Sequence, residues 1–362
     1  MAGGTGGHVF PALAVADELR NRAVRVSWLG TRRGIEARVV PEASIDIDWI
    51  DVRGVRGAGG LSRIGAPFRI ARALWQAIMV MRRRRPSVVL GMGGFAAGPG
   101  GLAARLLGRP LVIHEQNSVA GLTNRLLARV ATRVLCAFPN AFSAASLRNG
   151  EAELVGNPLR AAFIERTEPE VQAANTTRPP RLLVIGGSQG AVALNQKVPE
   201  ALAQLGADAR PDIRHQCGER HVDAARAAYA ERGVTADVVP FIDDMAAAYR
   251  WADLVICRAG ALTIAELAAS GVAGILIPFP FAVDDHQTGN ARLLADAGAA
   301  LLVHERDLTA DSLADQLGRL LSSPERLQDM ADRARRLARP DATRAVADIL
   351  AAYLPAPSEG GV

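Results

Sequence analysis

Three glycine-dense loops, each opening onto a helix-forming stretch, restrict this chain more than any other feature. The first is Gly3-Gly4-Thr5-Gly6-Gly7-His8, the second runs from Gly91 to Gly101, and the third is Gly186-Gly187-Ser188-Gln189-Gly190-Ala191. Glycine at this density lets a backbone take positive φ and pass close to a ligand. A helix starting there turns its N–H groups and positive dipole end toward whatever lies above the loop, which suits a diphosphate. A turn needed only for packing would satisfy the same pattern in any one loop; repetition favours a shared plan. The first and third loops align position for position, which predicts two doubly wound domains, each presenting a glycine loop to a common cleft. They differ at three of six positions, Thr5/Ser188, Gly6/Gln189 and His8/Ala191, and the last bears on chemistry: His8 stands where the third loop has Ala191. Only the first loop carries a proton-transfer group. Neither has the GxGxxG spacing of a dinucleotide site.

A chain of 362 residues suits two domains, and 49% apolar residues supply two cores. Cys136, Cys217 and Cys257 are far apart and odd in number, which fits a reducing cytosol rather than a disulfide framework. No CxxC or His-rich spacing indicates a structural metal. Net charge is +5, with Lys197 the single lysine among 42 basic residues. Arginine grips phosphate bidentately. Composition by itself does not choose among nucleic acid, anionic lipid and small anionic substrates. No apolar run reaches the roughly 18–20 residues of a bilayer span, and no signal peptide precedes the first loop.

The apolar spacing predicts a helix over 11–20, strands over 24–29 and 45–52, and then alternating strands and helices in a parallel sheet. Strands are expected over 87–90, 111–113, 133–137, 181–185, 254–257 and 275–278. Helices are expected over 102–107, 246–251, 290–297, 312–321 and 323–338, with a last one from Thr343 to Tyr353 and a disordered tail. A buried strand normally precedes a glycine loop of the first kind, yet only Met1-Ala2 stand there. Either the start lies downstream of the natural one or that strand is absent. Domain boundaries are expected at 160/161 and 340/341, beside the Pro-closed polar run over 166–180.

Leu61, Ile64, Phe68, Leu74, Trp75, Ile78 and Met81 alternate with Arg63, Arg69, Arg72 and the run Arg82-Arg83-Arg84-Arg85. Such a stretch reads equally as a lipid-facing surface or as a core helix with a solvated basic end. His114-Glu115-Gln116-Asn117 follows a strand, where open α/β sheets bind ligands. For Glu115 a loop-holding hydrogen bond competes with catalysis. Gly260 and Thr263 open a second anion-binding helix end, and Glu266 one turn on suits two ribose hydroxyls or a dipole interaction.

GGTGGHVFPAL, GMGGFAAGPGG, GGSQGA, HEQN, GNPLR, FIDDMAAAY and RAGALTIAE together resemble the MurG family, the lipid II-forming N-acetylglucosaminyltransferases of peptidoglycan synthesis. The resemblance runs from Gly3 to about Tyr353. It implies a two-domain GT-B fold whose last helix packs back on the first domain. It implies transfer of GlcNAc from UDP-GlcNAc to the muramoyl C4 hydroxyl of lipid I, with inversion and with no metal or other cofactor. By motif, the donor residues are Thr5, Gly6, Gly7, Asn117, Arg160, Ser188, Ile242, Ala261, Leu262, Thr263, Ile264, Ala265, Glu266 and Gln287. Gly7, His8, Gly93 and Gly94 are expected at the acceptor diphosphate. Leu61, Ile64, Phe68, Arg72, Trp75, Arg82 and Arg83 are expected at an anionic inner-membrane surface, placing the chain peripherally on its cytoplasmic face. The resemblance implies roles in cell shape and division, other cell-wall synthesis proteins as partners, and no nucleic acid. His8, with an ordinary pKa of about 6.5, is the expected base, with Glu115 or His114 assisting. Two rival readings are a GT-B enzyme using a diacylglycerol acceptor and a nucleotide-sugar sensor without turnover.

Overall fold

Each strand pair among the described residues is parallel, so every chain reversal is made by a helix or loop on a sheet face. The computed structural model describes residues 1–52, 66–148, 150–164, 178–187 and 190–355. The chain divides into one unit of Met1–Arg160 with Arg339–Val362, and another of Ala161–Ala338.

The first unit runs α1 (Gly6–Asn21), β1 (Ser27–Gly30), α2 (Glu36–Glu42), β2 (Asp46–Trp49), α3 (Ala66–Arg84), β3 (Val89–Gly91), α4 (Ala97–Leu106), β4 (Leu111–Glu115), α5 (Leu122–Ala128), β5 (Arg133–Cys136) and β6 (Glu153–Leu154). β3-β4-β5-β6 form one sheet and β1-β2 another. Residues 1 and 2 pair beside β3: the Met1 amino group donates to the Leu90 carbonyl at 2.8 Å, and the Met92 N–H donates to the Met1 carbonyl at 2.9 Å. The Trp28 indole donates to the Ala2 carbonyl at 2.9 Å. Two residues thus lie where the sequence calls for a strand ahead of the first loop. α1 begins five residues before Pro11, because extended Thr5 (φ −116°, ψ 159°) caps it and both following glycines join the helix. It buries Val9, Ala12, Leu13, Ala16 and Leu19 at helical spacing.

The second glycine cluster is only half a loop. Gly98 to Gly101 lie inside α4, which starts well before the expected residue 102. A Cβ on Gly100 would lie 2.1 Å from Met1 Sδ, and one on Gly101 2.7 Å from Leu127 Cδ2. These glycines let α4 pack closely; Gly93 (φ 94°) and Gly94 (φ 80°) make the turn.

The second unit runs α6 (Ala161–Ile164), β7 (Arg181–Ile185), α7 (Val192–Ala203), β8 (Asp212–Gln216), α8 (Val222–Ala230), β9 (Asp237–Val239), α9 (Met245–Trp251), β10 (Leu254–Cys257), α10 (Ala261–Ser270), β11 (Ala273–Leu276), α11 (His286–Ala295), β12 (Ala300–Leu302), α12 (Ala310–Leu321) and α13 (Pro324–Leu337). The order β12-β11-β10-β7-β8-β9 puts β7 beside β10, where the strand order reverses. Loops leaving the carboxyl ends of those two strands frame a binding crevice. β7 and β10 have nearly wholly buried apolar sequences, as strands covered on both faces require. The core joins them to Leu194, Val198 and Leu202 of α7 and to Leu313, Leu317 and Leu320 of α12.

α14 (Ala342–Ala351) returns to the first unit. Val346, Ala347 and Leu350 pack with Val15 and Leu19 of α1, Val112 of β4 and Leu135 of β5. Thr343 Oγ1 accepts from the Leu159 N–H at 3.0 Å and donates to the Leu159 carbonyl at 2.8 Å.

Candidate active site

The first and second glycine loops pack on each other. A Cβ on Gly94 would lie 2.1 Å from the Gly3 carbonyl oxygen, and one on Gly93 2.9 Å from His8 Nδ1 and Cε1. Glycine is required at both positions by contact as well as by φ. Beneath the first loop, the wholly buried Glu36 of α2 takes three donors: the Gly4 N–H at 2.9 Å, the Thr31 N–H at 3.1 Å and the Thr31 hydroxyl at 2.7 Å. Hydrogen bonds of this number offset the cost of burying the carboxyl group.

α1 then presents exposed Thr5 and partly exposed Gly6, Gly7 and His8 in its cap and first turn, with no acidic residue there. His8 Nδ1 lies 2.8 Å from Gln116 Oε1. Gln116 Nε2 lies 3.0 Å from His114 Nδ1, and His114 Nε2 lies 2.9 Å from the Gly156 carbonyl. His114 is fully buried in β4, and burial lowers its pKa to about 4. Glu115 is spent differently. Its Oε1 accepts from Asn117 N–H and Nδ2, and its Oε2 from the Gly121 N–H and from Asn124 Nδ2 at 2.9 Å. With 1% exposure it anchors the loop and offers no oxygen to a substrate. β4 extends two residues beyond the expected strand and carries His114 and Glu115 inside the sheet. Arg160 ends the unit with its guanidinium 5.7 Å from the Phe10 ring centroid. Thr5, Gly6, Gly7, His8, Gly93, Gly94, Asn117 and Arg160 therefore all belong to the first unit.

The rest belong to the second. Ser188 lies outside the described residues; just before it, Gln216 Oε1 accepts from the Gly187 N–H, and Gln216 Nε2 donates to the Gly187 and Pro240 carbonyls, all at 3.0 Å. α7 starts at Val192 with Ala191 as its cap, whereas α1 starts at Gly6. Ala191 thus precedes its helix while His8 sits inside the first turn of its own. Gly260 caps α10, a ten-residue helix without an acid in its first turn. Ala261, Leu262, Thr263 and Ala265 lie along its start; Ile264 is fully buried, its N–H donating to the Gly260 carbonyl at 3.0 Å, so it supports the helix from the core side. The Tyr249 hydroxyl donates to Glu266 Oε2 at 3.3 Å, fixing a carboxylate that is 8% exposed. Gln287 Oε1 accepts from the Ala259 N–H at 3.2 Å and the Phe279 N–H at 2.9 Å, tying the loop after β10 to the one after β11. Ile242 is partly exposed between β9 and α9, and Asp244 there caps α9 by accepting from the Ala247 N–H. α10 begins beside the third glycine loop at the strand-order reversal, so the unit gathers an anion seat, a carboxylate and a carboxamide.

On α3, Phe68 is 81% and Trp75 62% exposed, while Ala73, Ala77 and Met81 are buried. Leu61 and Ile64 lie outside the described residues. The arginines divide. Arg72 pairs with Asp51 at 2.9 Å, Arg83 with Asp48, and Arg84 with Asp48 at 2.7 Å and Asp46 at 3.0 Å. Arg82 has no carboxylate partner among the described residues and is exposed. No described helix is long and apolar enough to cross a membrane.

Three positions escaped the sequence reading: Glu36, Gln116 and Gln216. Gln116 stood inside a quoted motif, but only Asn117 was carried from it. Glu36 sits in a helix too short for periodicity to reveal, and Gln216 in an unrecognised strand. Their meaning comes from partners distant in sequence.

Residues 1–136 match the glycosyltransferase family 28 N-terminal domain, and residues 181–347 match its C-terminal domain. The chain is 58% identical over 349 residues to the UDP-N-acetylglucosamine--N-acetylmuramyl-(pentapeptide) pyrophosphoryl-undecaprenol N-acetylglucosamine transferase of Alkalilimnicola ehrlichii, covering 96% of each chain. It is 56% identical to the protein of the same name from Thiobacillus denitrificans, again over 96% of each. Among solved structures, Acinetobacter baumannii MurG superposes with a TM-score of 0.83 at 45% identity, covering 97% of this chain and 98% of that one. A UDP-GlcNAc 2-epimerase from Neisseria meningitidis shares the fold alone, with a TM-score of 0.65 at 13% identity over 96% and 98%.

Proposed function

The chain belongs to glycosyltransferase family 28, with the MurG N-acetylglucosaminyltransferases, and from that premise we propose that it transfers GlcNAc from UDP-GlcNAc to lipid I to give lipid II. The observation that carries this reading is identity of 58% spread over 96% of a relative so named. Divergence of acceptor or loss of turnover would be expected to concentrate at the loops, yet every motif loop is present. The fold is the two-domain GT-B architecture.

In this reading the second unit binds the donor. The start of α10 and the third glycine loop, with Ser188, receive the diphosphate; Glu266 accepts ribose hydroxyls; Gln287 and Ile242 contact sugar and base. The first unit binds the acceptor, its diphosphate lying along Gly7, Gly93 and Gly94. The muramoyl C4 oxygen attacks the anomeric carbon of GlcNAc from the face opposite the phosphate, which inverts that centre. The new C–O bond forms as the bond to the β-phosphate breaks, and UDP departs with the electron pair. His8 takes the hydroxyl proton, and helix-terminal amides stabilise charge growing on the leaving group. Thr5, Asn117 and Arg160 of the first unit are assigned to the donor by motif.

Membrane attachment fits the same picture. Phe68 and Trp75 insert among lipid tails while Arg82 meets anionic headgroups at the cytoplasmic face, so the enzyme works where its lipid substrate resides.

The deciding experiment measures UDP release from UDP-GlcNAc with a lipid I analogue, with diacylglycerol, and with no acceptor. Release dependent on the lipid I analogue is expected. Release dependent on diacylglycerol, or donor binding without release under any condition, would overturn the assignment.

A further inference from the structure

The positions of protons along the line His8–Gln116–His114–Gly156 follow from a single carbonyl. The Gly156 oxygen can only accept, so His114 Nε2, 2.9 Å away, carries a proton and donates. His114 is fully buried, and burial lowers its pKa to about 4, so at neutral pH the ring is neutral and Nδ1 holds a lone pair. The atom of Gln116 facing that lone pair at 3.0 Å must be a donor, which makes it the amide nitrogen. The same nitrogen also donates to the His114 carbonyl at 3.1 Å, an independent reason for this orientation. The amide oxygen then faces His8 Nδ1 at 2.8 Å, so His8 Nδ1 bears hydrogen and the Nε2 lone pair is left for a substrate.

We infer that Gln116 is a positioning residue that locks His8 in the Nδ1–H tautomer with Nε2 as the proton acceptor. The inference rests on His8 being the base of the proposed transfer. Its physical content is separate from that role. A neutral imidazole in water favours the opposite tautomer, so the bias must come from the protein. Gln116 is 1% exposed and cannot reverse its ends without facing its oxygen toward two acceptors, Nδ1 and the carbonyl of His114. Gly93 leaves the ring room in this position, since a side chain there would meet the ring atoms at 2.9 Å. The partner is an uncharged amide and not a carboxylate. It orients the ring and stabilises the imidazolium that forms during reaction less than a carboxylate would, so His8 gives its proton up more readily afterward.

The test reads the tautomer directly. In full-length protein labelled with nitrogen-15 at histidine, long-range proton–nitrogen spectra at pH 8 should show His8 with a protonated Nδ1 and an unprotonated Nε2. Gln116→Met removes both ends of the bridge and should shift His8 toward Nε2–H. It should also lower kcat by roughly 10- to 100-fold, part of the 10²–10⁴-fold a general base supplies, with the KM for UDP-GlcNAc little changed. Gln116→Glu keeps an acceptor opposite His8 Nδ1, its other oxygen sharing one added proton with His114 Nδ1, and should retain the Nδ1–H form, which guards against a loss caused by misfolding. An Nε2–H ring in the unaltered protein, or an unchanged tautomer in Gln116→Met, overturns the inference whatever the rates. A shifted tautomer with undiminished kcat instead overturns the assignment of His8 as base.

Discussion

Gly93 lies so close to His8 that a single added methyl group would sit 2.9 Å from two of its ring atoms. The second glycine loop therefore shapes the position of a side chain 85 residues earlier in the chain. Gly93→Ala should push the ring away from Gln116 and also strain a backbone with φ of 94°. The expected cost is about 1–3 kcal/mol of stability, read by urea unfolding, together with at least a roughly tenfold fall in kcat. Full activity in a folded Gly93→Ala protein would show that the ring position does not matter.

His8→Ala should lower kcat by roughly 10²–10⁴-fold while leaving the affinity for UDP-GlcNAc nearly intact. Turnover and donor binding, the latter by calorimetry, must be measured separately. A fall confined to donor affinity would make His8 a binding residue.

Glu36→Ala would leave the Gly4 N–H and both donors of Thr31 without their acceptor beneath the first loop. About 2–4 kcal/mol of stability should be lost, visible as a lower urea midpoint. Glu36→Gln retains the shape and should cost less. Equal stability of Glu36→Ala and the parent would remove the carboxylate's role as an anchor.

Acid should weaken each unit through one buried histidine. His114 in the first unit and His215 in the second both titrate near pH 4 because burial disfavours their charged forms. Unfolded imidazole binds its proton near pH 6.5, so between about 6.5 and 4 the unfolded chain holds more protons. Stability is then complete above pH 6.5 and falls as pH drops through that window, by on the order of 2–3 kcal/mol for each histidine. Urea unfolding at pH 7.5, 5.5 and 4.5 checks this; a flat profile would contradict it.

Replacing Phe68 and Trp75 together with serine should reduce binding to vesicles containing anionic lipid by at least about tenfold, since each exposed aromatic contributes about 1–3 kcal/mol when buried in lipid. Turnover of a water-soluble acceptor analogue should remain. Sedimentation with vesicles measures the first effect, and unchanged sedimentation would remove α3 from the membrane contact.

What the chain's order of residues determined by itself was the local plan. Glycine loops followed by apolar-periodic segments announced two doubly wound units, and β7 and β10 coincide with the expected 181–185 and 254–257. Such features are legible because periodicity, turn chemistry and helix entry depend on neighbours within a few residues. What only the tertiary structure decided was which polar groups face one another. His8 meets Gln116 across 108 positions, Glu36 reaches Gly4 across 32, and α14 crosses the whole second unit's sequence to pack on α1. Folding also sorted alike residues into unlike tasks. Gly93 and Gly94 make a turn while Gly100 and Gly101 make room for a helix. Arg83 and Arg84 are neutralised by aspartates while Arg82 is left to solvent. No local pattern separates these cases, because a hydrogen bond or an ion pair is set by distance in space, and the sheets set that distance.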